Sequence, residues 1–517
     1  MQKIEAATLR EWITDGAELG ILDAREEGEF GDGHLFWAVP CPLSRAELRI
    51  PVLLPRITTR IVCVDAGNGL AERLAALLEA LGGDVHILIG GVAAWAAAGF
   101  VVFTGVNVPS KAFGEWVEHH YGTESIDAAE LQAWMDEKRD MVVLDSRPLD
   151  EFTRMSIPGG VNVPGGELAY RIADMVPSAE TTIVINCAGR TRSIMGAESL
   201  RRAGVPNRVV ALRNGTMGWE LAGLQVARGQ TDRYTPGRPH TVPLALERAT
   251  SFAETSGVGV IGPLDLARYE EDPDRTLYTL DVRDPAEFAA LHRPGSRNAP
   301  GGQLVQATDQ WIAVRGARIA VIDDDGVRAR MSAAWLRQMG HRDVFVVEGG
   351  LDGLEDIKPA AASPSEAPRS AGAGTDAVAG AFVLDLARSI DFRQGHIPGA
   401  NWAIRTRLDQ LGERLASAER VVLTSPDGLA ATMAAEEAQA LTKAPVQVLR
   451  GGTAAWVASG GRLERDTTTP PDDACVDYYL KPYDRNAGVE EAMNAYLSWE
   501  IDLVHEIVRD GTVAFGV

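Results

Sequence analysis

The chain repeats itself, and nothing else in it constrains the fold as strongly. Four segments place an apolar strand before an Asp, then an acidic residue or Arg, then an aromatic. They read ILDAREEGEF from Ile21, VVLDSRPLDEF from Val142, YTLDVRDPAEF from Tyr278 and FVLDLARSIDF from Phe382, with aspartates Asp23, Asp145, Asp281 and Asp385. Three copies continue into a His or Pro-Gly turn: GDGHLFWAVP, LHRPGSRNAP and QGHIPGANWA. The second carries Ser156 where the fourth has His396. Each copy then has a second apolar strand, a short loop and an Ala/Leu-rich stretch. Leu70, Leu74, Leu77 and Leu78 show the helical spacing in the first copy. A last strand ends in Gly and often Trp, as in HILIGGVAAW and VQVLRGGTAAW.

Strands alternating with helices predict an α/β fold, with a mostly parallel sheet in each copy and helices on both faces. Four units of about 100 residues fit a chain of 517. The expected units span 1–105, 106–235, 236–358 and 379–465, with a linker at 359–378. That linker contains the Pro- and Ser-rich AAASPSEAPRSAGAGTDA. Residues 105–124 read as a less regular connection. The tail 466–517 does not repeat; in it, Met493, Tyr496, Leu497, Ile501 and Val504 predict an amphipathic helix. That helix is expected to pack on the repeats or on another subunit, which leaves homo-oligomerisation open.

Composition narrows the function. Against 50 Lys and Arg stand 72 Asp and Glu, a formal charge of −22, which disfavours nucleic acid or an anionic membrane as partner. No run of about 18 apolar residues suggests a membrane span. The start, MQKIEAATLREW, lacks a basic-then-apolar signal pattern. Only four cysteines occur (Cys41, Cys63, Cys187 and Cys475), with no CxxC pair. A disulfide framework is not expected, and a reducing, cytoplasmic location is. The nine histidines show no metal-ligand spacing; His119 and His120 read as surface residues.

Aligned without gaps, the second strands end on Asp65, Cys187, Asp323 and Ser425. Only the second copy offers a thiol. Its loop runs Cys187-Ala188-Gly189-Arg190-Thr191-Arg192, followed by Ser193. Backbone N–H groups of a strand-to-helix loop can curl around the first side chain, and the helix N-terminus adds positive potential. Both favour an anion, so Cys187 is expected to have a lowered pKa and to act as a nucleophile. Arg190 and Arg192 add positive charge, and Thr191 and Ser193 add hydroxyls. Cys63 reads as core within its strand, Cys41 as a turn residue, and Cys475 has no assigned role. The Asp-x-Arg pairs recur in copies without a thiol, so they read as a fold-holding ion pair. Trp95, Trp219 and Trp456 read as core. Arg213 and Asn214 are placed at the pocket's border.

These features resemble the rhodanese family. The resemblance rests on Asp23-Ala24-Arg25, Asp145-Ser146-Arg147 and Asp281-Val282-Arg283, on Gly395-His396-Ile397-Pro398-Gly399-Ala400, on the Cys187 loop and on the Gly-Gly-x-x-Ala-Trp endings. It implies four tandem rhodanese-like domains with a helical tail and a sulfurtransferase that forms a persulfide. Only Cys187 matches the family's nucleophile; Asp65, Asp323 and Ser425 depart from it, which implies three silent copies. On this reading Cys187 takes sulfur from a small anionic donor such as thiosulfate and passes it to a thiol or cyanide. Ala188, Gly189, Arg190, Thr191, Arg192 and Ser193 bind the substrate, and no cofactor or metal is implied. Two alternatives stand beside it. One is a phosphatase or arsenate reductase-like Cys-loop enzyme, whose loops are generally one residue longer than this loop of six. The other is a non-enzymatic scaffold of rhodanese-like domains.

Overall fold

The computed structural model describes residues 1–354, 358 and 372–516. Most of the linker expected at 359–378 therefore lies outside the described residues; its end forms a short 3-10 helix, Thr375–Val378.

Each repeat builds its own sheet, and each sheet repeats one order. In the second repeat the order is Ser125–Ile126, Val209–Leu212, Thr182–Asn186, Met141–Asp145 and Val161–Asn162, all parallel. The central strand TIVIN is almost wholly buried. A parallel sheet covered on both faces requires such an apolar, β-branched run. The first and third repeats use the same order, and the first sheet gains a sixth strand, Val314–Arg315 of the third repeat, antiparallel to Leu19–Asp23. The fourth lacks a first strand: it runs Asn401–Trp402, Phe382–Asp385, Val421–Thr424 and Val446–Val448. A single parallel bridge from Ala373 to Leu449 stands at the missing strand's position.

The Asp-x-Arg pairs do the same work three times. Arg147 makes a two-pronged contact with Asp145 at 2.9 and 2.7 Å and donates onward to Met155 O at 2.6 Å. Arg25 joins Asp23 to Gly33 O at 2.7 Å, and Arg283 joins Asp281 to Leu291 O at 2.5 Å. Each Arg thus pins a strand end to the chain eight residues beyond itself, across an intervening helix. The fourth repeat has Ala387 instead, and only its N–H reaches Asp385. The histidines of the turn stack on the preceding Phe: His34 on Phe30 at 3.8 Å, His292 on Phe288 at 4.2 Å and His396 on Phe392 at 3.7 Å. They are packing residues. Trp95 and Trp219 fill core, as expected, whereas Trp456 is only half-buried.

Residues 105–124 are more regular than expected: Val108–Tyr121 is a 14-residue helix. It buries Val108, Ala112, Phe113 and Val117 and packs against the helix Thr191–Arg202. The 14-residue helix Val242–Thr255 packs on Val327–Gln338 in the same way in the third repeat. Neither helix has a counterpart in the first repeat, so neither stands out from the shared pattern.

The repeats pack on one another, the first touching both the third and the fourth. Gly165 and Gly166 of the second abut Gly301 and Gly302 of the third, where a Cβ on Gly302 would come within 2.8 Å of Gly166 N. Arg405 of the fourth bridges Glu47 of the first and its own Glu437. The tail helix is Val489–Asp510 and packs on the repeats, chiefly on Val108–Tyr121. Its buried stripe is Met493, Leu497, Leu503 and Ile507; Ile501, expected on that stripe, is exposed. The register drifts because a straight helix advances 3.6 residues per turn, so the contact stripe slides over 22 residues.

Asp309 lies buried at the first–third contact with Oδ1 unpartnered. Burial pushes its carboxyl up from an ordinary 3.8 to about 7. A raised folded-state value means the neutral form's stabilisation is complete below about pH 4 and is lost as pH rises through about 7. Asp309→Asn removes that titration. Its melting temperature relative to the native chain should therefore rise between pH 5 and pH 8; a difference that does not change with pH contradicts the assignment.

Candidate active site

Cys187 directly follows the central strand of the second sheet, and the helix Thr191–Arg202 starts four residues later. Among the described residues, no protein acceptor meets the backbone N–H groups of Ala188, Gly189, Arg190, Thr191 or Arg192. The first turn of a helix leaves such donors over, and here the loop before it adds to them. The Ser193 N–H and hydroxyl, near the sulfur, both donate to Arg190 O, at 3.1 and 2.8 Å.

The sibling loops show what this cradle holds. Asp65 accepts from Gly67 N at 2.7 Å and from Ala71 N at 3.0 Å. Asp323 accepts from Gly326 N at 2.7 Å and Ala329 N at 3.1 Å. Ser425 Oγ accepts from Ala431 N at 3.4 Å. Ala71, Ala329, Ala431 and Ser193 all stand six residues beyond the strand-end residue. Two siblings therefore place a carboxylate where the second repeat places its thiol.

The loop is locked from behind. Gly215, at φ +53°, sits so close that a Cβ would lie 2.4 Å from Cys187 O, and Thr216 N donates to that oxygen at 2.8 Å. The same clash recurs at Gly91, Gly350 and Gly452, which explains the glycines of the repeat ending. Asn214 precedes Gly215 in a left-handed conformation and accepts from Arg190 at 3.3 Å; Arg213 is turned to Ser125 at the surface.

The arginines do not face an empty site. Arg190 donates to both oxygens of Glu115 at 2.7 and 2.8 Å and also pairs with Glu118. Arg192 is clamped by Glu151 at 2.9 and 2.7 Å and touches Gln303 of the third repeat at 3.4 Å. Burial works to raise the Glu151 carboxyl, but Arg192 outweighs it and holds the group well below the usual range. Thr191 Oγ1 donates to Glu500 of the tail at 3.1 Å. The positive charge expected to draw an anionic donor is therefore already matched.

Cys187 itself is 2 % exposed. Ala188, Met217, Leu221, Tyr483, Met493, Tyr496 and Leu497 form one apolar cluster over the loop. The expected lowering of the thiol pKa is not found. Burial pushes Cys187 up from its ordinary 9.0, and Arg192 and Ser193 only partly oppose this. The tail's apolar cover explains the difference, because desolvation penalises a thiolate. Cys41 and Cys63 are also buried, with Cys41 pushed up to about 12, and all four cysteines are free. Among the described residues, no group of three or more His, Cys, Asp or Glu side chains is placed to hold a metal, and no helix is long and apolar enough to cross a membrane.

Sequence reasoning did not find Glu115, Glu118, Glu151, Glu500 or Tyr483, and placed Tyr496 only on the tail helix. A signal existed for Glu151. It aligns with Glu287 of the third repeat, whose partner Arg328 aligns with Arg192, and that pair is 2.6 Å apart.

The model of the rhodanese-like domain family matches residues 5–98, 127–222 and 264–356, more than half the chain. The chain belongs to the rhodanese-like domain family. The fourth repeat lies outside the match. A solved thiosulfate sulfurtransferase from Pseudomonas aeruginosa is 45 % identical, with 100 % of both chains covered and a TM-score of 0.92. A thiosulfate sulfurtransferase (GlpE) from Pseudomonas aeruginosa strain LESB58 is 32 % identical over 90 residues, 17 % of this chain and 78 % of its own. An HTH-type transcriptional regulator from Mycobacterium tuberculosis is 35 % identical over 94 residues, and the match spans 18 % of this chain and 40 % of the regulator. The chain is a thiosulfate sulfurtransferase-like enzyme.

The buried thiol predicts its own pH dependence. Alkylation of Cys187 by iodoacetamide, followed by mass spectrometry of its peptide, should still be rising with pH at the ordinary thiol value of 9.0. A plateau reached below about pH 8 would show an activated thiolate in the resting enzyme.

Proposed function

We propose that the chain moves sulfane sulfur from a small donor to a thiophilic acceptor through a persulfide on Cys187. Support comes above all from the row of unpartnered N–H groups from Ala188 to Arg192, together with the carboxylates that fill the matching cradle in the siblings. A persulfide anion on Cys187 extends into such a cradle and is stabilised as an oxyanion would be.

With thiosulfate the steps balance as follows. The Cys187 thiolate attacks the outer sulfur, an S–S bond forms, and the donor's S–S bond breaks. Sulfite leaves with the electron pair, and Cys187 carries a persulfide. A thiol or cyanide then attacks that outer sulfur, and Cys187 leaves as thiolate. Arg190 and Arg192 hold the loop's shape through Glu115, Glu118 and Glu151 rather than meeting the donor as free cations. Thr191 and Ser193 place hydroxyls beside the loop.

The other repeats, with Asp65, Asp323 and Ser425 at the matching place, serve as silent units within the domain division given above. Their backbone cradle is occupied or lacks a thiol. Because the acceptor must stay reduced, a reducing compartment such as the cytoplasm suits the reaction.

Thiosulfate should add the mass of one sulfur atom to the Cys187 peptide, and cyanide should remove it. Cys187→Ser should lower thiosulfate:cyanide transfer by more than about a thousandfold. Transfer that survives the substitution, or turnover of an aryl phosphate without any mass gain, would sink the proposal.

A further inference from the structure

The tail helix brings a carboxylate to the Cys187 loop. Glu500 is 1 % exposed. Its Oε1 accepts from Lys111 Nζ at 2.8 Å, Thr191 Oγ1 at 3.1 Å and Tyr496 OH at 3.0 Å. Its Oε2 is buried with no hydrogen-bond partner. That oxygen faces the loop: a methyl group on Gly189 would stand 3.2 Å from it and 3.3 Å from Tyr496 Cε1. A buried carboxylate oxygen left without a donor is costly unless something supplies one.

The local charge adds to this. Around the loop, Lys111, Arg147, Arg190 and Arg192 are paired with Asp145, Glu115, Glu118, Glu151 and Glu500, and Lys481 adds positive charge on the Glu151 side. Lys111, Arg147, Arg190 and Arg192 each already contact one of these carboxylates. A dianion entering here meets Glu500, whose neighbouring cations Lys111 and Arg190 are already engaged by carboxylates, and Glu500 also helps hold the Cys187 thiol up, after burial.

We infer that Glu500 is a specificity-determining residue: it disfavours dianionic donors such as thiosulfate and favours organic hydropersulfides, R–S–S–H, whose S–H can donate to Oε2. This rests on the Cys187 reading. In the favoured step the Cys187 sulfur bonds to the donor's outer sulfur and the donor's S–S bond breaks. The thiolate R–S⁻ leaves with the electron pair and takes up the proton that Cys187 gave. The net change is one thiol and one hydropersulfide to one protein persulfide and one thiol, with no oxidant or reductant needed.

The test uses the full chain with thiosulfate and with cysteine hydropersulfide, reading the mass of the Cys187 peptide and kcat/KM for each donor. The native chain should prefer the hydropersulfide. Glu500→Gln keeps the shape and removes the charge, and should shift the preference toward thiosulfate by at least about tenfold. Lys111→Met strips Glu500 of its counter-charge and should shift it the opposite way. Melting curves check that both variants fold. Absence of a mass gain with either donor in the native chain overturns the Cys187 reading and this inference with it. A mass gain with a donor preference that both folded variants leave unmoved overturns this inference alone, as does a native preference for thiosulfate.

Discussion

Everything at the site depends on one position, the residue just after the central strand, which faces the backbone N–H groups of the loop and of the helix that follows. Such a place accepts an anion because its donors have no other protein partner. The first and third repeats fill it permanently with Asp65 and Asp323, each held by two N–H groups. The second puts Cys187 there and leaves the loop donors over. One backbone geometry thus yields a covalently tethered anion in two repeats and room for a transient one in another. Asp is an acceptor that cannot leave, which fits the proposal that these repeats are silent.

The rest of each repeat keeps that geometry in place. From behind, Gly215 permits the approach to Cys187 O that any Cβ would prevent. From the side, the Asp145–Arg147 pair fixes the neighbouring strand end, and Asn186 donates to Asp145 at 2.7 Å. A buried ion pair of this kind is a poor source of net stability, yet breaking it leaves a lone buried charge and costs about 3–5 kcal/mol. Its recurrence in repeats without a thiol fits a role in shape. The loop arginines act alike: fully paired, they stiffen the loop instead of advertising charge.

How much of this could be read in the chain follows from what a repeat displays. The strands, the loop, the glycines and Cys187 recur or conspicuously fail to recur, so comparison within the chain exposes them. The strand order and parallel pairing follow from apolar runs alternating with helices. The helix Val108–Tyr121 was hidden because the first repeat has no copy of it, although Val108, Ala112, Phe113 and Val117 carry its apolar face. Glu500 was hidden for a stronger reason. It lies 313 positions beyond Cys187 by the numbering, in a segment without repeats, and only packing brings it to the loop.

The thiol's raised pKa ties these threads together. Loop geometry taken alone lowers a cysteine's pKa; apolar cover raises it, and in this chain cover wins because Leu497, Met493 and Met217 close over the loop. With Cys187 2 % exposed, the proposed reaction requires the covering side chains to move before a donor meets the sulfur. That movement also admits water and relieves part of the desolvation. On the proposed mechanism, access and activation are coupled physically: a motion that admits a donor also lowers the cost of the thiolate. A resting thiol kept neutral under an apolar cover is protected from adventitious oxidants, because it is the thiolate that reacts.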